Sequence, residues 1–143
     1  MPWRFLDDRA TADVSFHSSG ESLDELFRSS VDAVISTMLP DLSALVPRER
    51  RRITITAKDI EALLFDLLQE VIYRKDAEGI LLRLDAALFS LNAESITLEA
   101  SLRGERIDRG RHELRVDVKG VSLYRYYVGK TPDGWETEVL LDV

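Results

Sequence analysis

The sequence runs to 143 residues, 45% of them hydrophobic and none of them cysteine, with a formal charge of −7. That length supports one sizeable core and is short for two, and the missing cysteines exclude disulfides, thiolate metal sites and a cysteine nucleophile. The negative charge disfavours unassisted RNA or DNA binding, whose affinity comes mainly from Lys and Arg set against phosphates.

The start, Met1 to Asp8, has no apolar run of signal-peptide length, and Glu61, Asp66 and Glu70 interrupt the most hydrophobic window. A single domain over 1–143, cytoplasmic and without a membrane segment, is expected. Ala10, Ala12, Val14 and Phe16 alternate with polar residues, the period of a strand with one buried face, and Asp13 then points away from the core. Gly20 turns the chain. Ser22 with Glu25 reads as a capping box opening a helix that presents Leu23, Leu26, Phe27, Val31, Val34, Ile35 and Met38 and stops before Pro40. Residues 40–51 read as a loop, and 52–57 as a strand with Ile53 and Ile55 inward.

The helix from Asp59 to Arg74 organises the rest. Ile60, Leu63, Leu64, Leu67, Leu68, Val71 and Ile72 follow helical spacing, while Glu61, Asp66, Gln69 and Lys75 are assigned to solvent. Thr56 or Asp59 can cap its start, and Gly79 follows its end. Residues 80–89 and 95–103 read as an antiparallel pair turning near Asn92. A polar loop is expected over 104–110, then a strand through Leu114, Val116 and Val118 whose phase slips at Gly120. Thr131-Pro132-Asp133-Gly134 is a hairpin turn joining the tyrosine-rich strand 122–128 to a last strand, 135–143. The fold class is therefore α+β, two amphipathic helices packed on a largely antiparallel sheet.

Few constellations carry chemistry. No phosphate-cradling glycine loop, H-E-x-x-H or G-x-S-x-G motif is present. His112, beside Arg111 and Glu113, reads as a surface or hydrogen-bonding histidine. Arg48, Arg50, Arg51 and Arg52 read as a solvated charge run. For Arg103, Arg106, Arg109, Arg111 and Arg115 a charged edge and a phosphate site remain equally open. On the last strand Glu136, Glu138 and Asp142 share one face, with Leu140 among them, and Val139 and Leu141 take the other. A terminal carboxylate beside Asp142 offers oxygen ligands to a hard divalent cation if one more carboxylate joins them. By itself the terminus reads as solvated and frayed.

Thr11-Ala12-Asp13-Val14 resembles the N-terminal signature of the archease family. The likeness continues in order through Gly20, Leu63 to Glu70, Asp76 to Gly79, Arg111 to Leu114, Val118 to Val121, Asp133-Gly134-Trp135 and Leu141-Asp142-Val143. The resemblance implies a non-enzymatic activator of an RtcB-type RNA ligase in tRNA splicing and RNA repair, promoting guanylylation by GTP and multiple turnover. It also implies a divalent-metal site, calcium with manganese or magnesium as alternatives, formed by Asp13, Asp142 and Val143. Asp13 is the carboxylate that the terminus lacked. Ala10 and Tyr124 stand where the family carries histidines, Ser15 follows the T-A-D-V motif in place of glycine, and Gly120 replaces an alanine. Lys119 is the expected partner contact, its charge suited to a ligase carboxylate or a phosphate, against the plainer reading of a solvated lysine. Two rivals stand beside this reading: a metal-assisted hydrolase using Asp13 and Asp142, for which no general base stands out, and a plain protein-interaction domain.

Overall fold

The computed structural model describes residues 2–6 and 13–143, so Ala10 and Ala12 of the expected first strand lie outside the described residues. The elements are β1 (Trp3–Leu6), β2 (Asp13–Gly20), α1 (Leu23–Met38), a 3-10 turn (Leu42–Ala44), β3 (Glu49–Ala57), α2 (Ile60–Glu78), β4 (Ile80–Leu91), β5 (Ile96–Arg106), β6 (Gly120–Thr131) and β7 (Gly134–Asp142). They form two antiparallel sheets, ordered β1-β2-β7-β6 and β3-β5-β4. The α+β reading holds, with the strands divided between two sheets. Helix α1 contacts β2 and β7 of the first sheet and β4 of the second, while α2 contacts β3, β4 and β5 as well as β6. Both helices therefore join the sheets into one core, in which Phe27 meets Phe89 edge to face at 5.0 Å.

Both helix starts obey their caps. Ser22 Oγ accepts from the Glu25 amide at 3.2 Å, and Glu25 Oε2 accepts from the Glu21 amide at 2.7 Å. At α2 the cap is Asp59, accepting from the Ala62 amide at 2.8 Å, whereas Thr56 stays in β3 and bonds Thr97. Gly79 closes the helix at φ 65°, a left-handed conformation natural to glycine.

The structure corrects several sequence-based expectations. Strand β3 begins at Glu49, inside the expected loop, and β5 runs on to Arg106. Gly104 lies within β5, where a Cβ would strike the Leu81 carbonyl oxygen. The expected strand at 114–118 is absent. Residues 112–119 cross without a ladder, tied by the Arg115 amide to the Met38 carbonyl at 2.9 Å. Helix α2 extends past Arg74 to Glu78, and Lys75 is buried rather than solvent-facing.

Lys75 falls three and four residues after Ile72 and Val71, which places it on the apolar stripe. Its Nζ donates to Asp76 at 2.5 Å, Asp117 at 2.6 Å and the Val118 carbonyl at 2.8 Å, pinning the 112–119 segment to the helix. Burial pushes its pKa down, but the bonds to Asp117 and Asp76 outweigh that and hold it raised. A raised pKa means that this stabilisation is complete below 10.5 and is lost at strongly alkaline pH. Lys75→Met should lower stability by about 1–3 kcal/mol, because the buried Val118 carbonyl loses its donor. Urea unfolding of variant and wild type checks this, and an unchanged midpoint would deny Lys75 its role.

Candidate functional site

Strand β2 alternates its faces: Phe16 and Ser18 are fully buried, leaving Asp13, Ser15 and His17 outward. On β7, Thr137, Val139 and Leu141 are buried and Glu136, Glu138, Leu140 and Asp142 face out. The β2–β7 register then sets Asp13 directly opposite Asp142, Ser15 opposite Leu140 and His17 opposite Glu138. Directly opposed residues of an antiparallel pair share a face, so the two aspartates stand side by side at the sheet's end. Asp142 is also flanked by β6, where Gly120 pairs with it and the Lys119 amide donates to its carbonyl at 2.7 Å. The Lys119 side chain is exposed, and Val143, half-buried, packs against the core.

Opposed like charges repel. Among the described residues no ion pair involves Asp13 or Asp142, and the pairs that form all lie elsewhere. Two carboxylates on one face without a counter-charge are the donor chemistry of a hard divalent cation. Among the described residues no three His, Asp or Glu side chains converge, so a protein-side set larger than this pair draws on other oxygens, such as those of Val143.

Further along the same face His17 Nε2 lies 3.1 Å from Glu136 Oε1. Burial, then the charges of Glu136 and Glu138, raise the pKa of the neighbouring Tyr127. The face is acidic along its length.

A second polar cluster surrounds Glu105, which is 3% exposed. Its carboxylate accepts from the Val46 amide at 2.9 Å, Arg111 at 2.5 Å and His112 Nε2 at 2.8 Å, with Arg48 at 3.3 Å. His112 Nδ1 accepts from the Asp108 amide at 2.9 Å, which leaves the ring proton on Nε2 to donate to Glu105. His112 is thus a buried hydrogen-bonding residue. The arginine runs are largely structural. Arg51 grips Glu49 and Glu78, Arg103 meets Asp85 and Arg106 meets Glu49, while Arg109 and Arg115 remain exposed. Sequence reasoning missed the Glu105 cluster because Glu105 falls where a polar loop was expected. No local signal marked it: alternation from Ile96 puts Glu105 on the outward face with Arg103, and its burial comes from the segments carrying Val46 and His112 that lie over it.

The fold and the outward aspartate pair define a small α+β protein with two helices bracing two antiparallel sheets. By sequence, residues 3–143 match the model of the Archease protein family (MTH1598/TM1083), and the chain belongs to that family. The archease of Methanothermobacter thermautotrophicus is 31% identical over 99% of this chain and 98% of its own, and that of Pyrococcus abyssi 27% identical over 93% and 94%. The solution structure of protein 1598 of Methanobacterium thermoautotrophicum superposes with a TM-score of 0.85 at 29% identity, covering 99% of each chain. The crystal structure of a Thermotoga maritima archease, described as a possible chaperone, shares the fold with a TM-score of 0.65 at 17% identity over 96% of each chain. No helix among the described residues is long and apolar enough to cross a membrane.

Proposed function

We propose that this chain is a non-enzymatic, metal-binding activator of an RtcB-type RNA ligase, acting in the cytoplasm in tRNA splicing and RNA repair. The observation that carries this reading is the register of β2 on β7, which sets Asp13 and Asp142 opposite each other on the outer face. In this reading Asp13 and Asp142 hold a divalent cation, calcium first among the candidates, with a backbone oxygen of Val143 as a further ligand. A divalent cation held by Asp13 and Asp142 would offset their mutual repulsion and would supply a positive charge at this end of the sheet.

The chain's own residues supply the frame. The Asp142 carbonyl accepts from the Lys119 amide, so the end of β7 is fixed on the β6 side as well as by β2. Lys119 itself, exposed beside the pair, meets a carboxylate or phosphate of the partner. The charge of −7 fits a protein that acts on the ligase and leaves the RNA to it.

A ligation time course with the cognate ligase, GTP and manganese tests the reading. The ligase alone should stall after about one turnover, and substoichiometric addition of this protein should let it turn over repeatedly. Lys119→Ala should reduce that stimulation without changing the melting temperature. No stimulation by the wild type would sink the activator reading, and RNA cleavage by this protein alone would put the hydrolase in its place.

A further inference from the structure

Strand β6 loses register with β7 partway along. Ser122 pairs with Leu140 and Tyr127 with Glu138, so Leu123, Tyr124, Arg125 and Tyr126 have only Val139 to oppose them. The surplus chain forms a bulge on this edge strand. Leu123 and Tyr124 are 70% and 63% exposed, and the Arg125 guanidinium lies 5.3 Å from the Tyr124 ring centre. Arg125 adopts φ 57°, the only positive φ at a non-glycine among the described residues. A residue with a Cβ is strained there, and such strain persists only where the surroundings enforce it.

The enforcing contacts are visible. Ser122 Oγ accepts from the Tyr124 amide at 3.1 Å, the Tyr126 hydroxyl donates to the Glu61 carbonyl at 2.6 Å, and the Val128 amide donates to Glu61 Oε2 at 3.0 Å. The Tyr126 ring sits edge to face on Phe65 at 5.7 Å. The base of the bulge is therefore bolted to α2 while its apolar tip stands in solvent.

We propose that this bulge is the anchor by which the chain docks on a protein partner, Leu123 and Tyr124 entering an apolar pocket and Arg125 meeting carboxylates on its rim. Taking that partner to be the ligase rests on the function proposed above. Tyrosine and arginine dominate binding energy at protein interfaces, and a bulge fixed beforehand loses little freedom on docking. Arg125 and Lys119 are both exposed and form no ion pair among the described residues, in a chain that is otherwise acidic, so an acidic rim complements them. A single-stranded RNA would use the tyrosine ring and the arginine, but it has no use for the exposed Leu123 and is repelled by the net charge. Position agrees as well. Val139 lies three residues from Asp142 on β7, about 10 Å at the rise of a strand, so a partner seated on the bulge also covers the aspartate pair.

Calorimetric titration of the ligase with the wild type, Leu123→Ser, Tyr124→Ala and Arg125→Gly, beside the ligation assay, tests this. The first two should each weaken binding roughly ten-fold or more. Arg125→Gly should also weaken binding while raising the melting temperature, because glycine accepts the left-handed backbone. That opposite movement of affinity and stability is not expected of a merely structural residue. If all variants bind and stimulate like the wild type, the anchor is disproved and the activator reading stands. If the wild type binds through the bulge without stimulating, the anchor is upheld and the activator reading falls. No binding of the wild type to the ligase overturns both. Binding of a labelled single-stranded RNA that Tyr124→Ala abolishes, with ligase affinity unchanged, overturns the anchor in favour of a base-stacking platform.

Discussion

Glu105→Ala is expected to lower stability by about 3–5 kcal/mol, the cost of removing one side of a buried ionic cluster. For a chain of this size that is a fall of roughly 6–20 °C in melting temperature. Three hydrogen-bond donors and the Arg48 guanidinium converge on this carboxylate, and the buried His112 Nε2–H lies where water does not replace it. The cluster joins β5 to the segment before β3 and to the segment that follows β5, so its loss loosens three stretches at once. Glu105→Gln keeps the shape and one acceptor, and it should cost less.

The same residue gives the protein an acid limit. Burial alone raises the carboxyl's pKa, but the Val46 amide, Arg111 and His112 outweigh it and bring the group from 4.5 down to about 2. A depressed carboxyl contributes stability that is fully present above its unfolded pKa and is lost as the pH falls through the folded one. The window is therefore 4.5 to about 2, and the contribution is about 3 kcal/mol. Unfolding measured across that window should show a steeper loss in the wild type than in Glu105→Gln. Parallel curves would assign the acid limit to other groups.

Most of the scaffold was legible because it obeys periodicity. The α1 and α2 stripes, their Ser22 and Asp59 caps, Gly79 and the Pro132-Asp133 turn are all local signals, and each is where the spacing puts it. The failures came where tertiary contacts override local pattern. Leu114, Val116 and Val118 alternate like a strand, yet Lys75 and the Met38 carbonyl hold that segment across a helix end, away from any ladder. Lys75 was read by its charge although its spacing marks it as buried. Gly104 looked like a loop residue because glycine usually breaks strands, whereas here it permits close approach to Leu81. The division into two sheets could not be read from strand order at all.

The candidate site was half legible. Alternation on the last strand put Glu136, Glu138 and Asp142 on one face, as the structure has them, but nothing local says which strand lies beside Asp142. The choice of Asp13 came from resemblance to a family, and the β2–β7 register is the physical reason that two residues so far apart in sequence can share a ligand. The slip of phase expected at Gly120 is not found there, because Gly120 to Ser122 keep register with Asp142 to Leu140. The bulge lies between Ser122 and Tyr127, and neither it nor its strained Arg125 was signalled.

Metal binding at that pair has the second large expected effect, and it can be measured without any ligase. Removing one carboxylate takes away a ligand and relieves the repulsion across the ladder, so apo Asp13→Asn and Asp142→Asn should be as stable as the wild type or up to about 1 kcal/mol more stable. Metal reverses the order. At a concentration about 100 times its dissociation constant, a cation that binds only the folded wild type stabilises it by about 2.7 kcal/mol, a rise of roughly 5–10 °C. Both variants should show little of that rise, whereas Lys119→Ala should retain it, because its side chain is not counted among the ligands. Titration of calcium, manganese and magnesium by calorimetry and melting provides the check. A wild type stabilised no more than the two variants would remove Asp13 and Asp142 from the metal site, and with them the physical basis of the proposed activator.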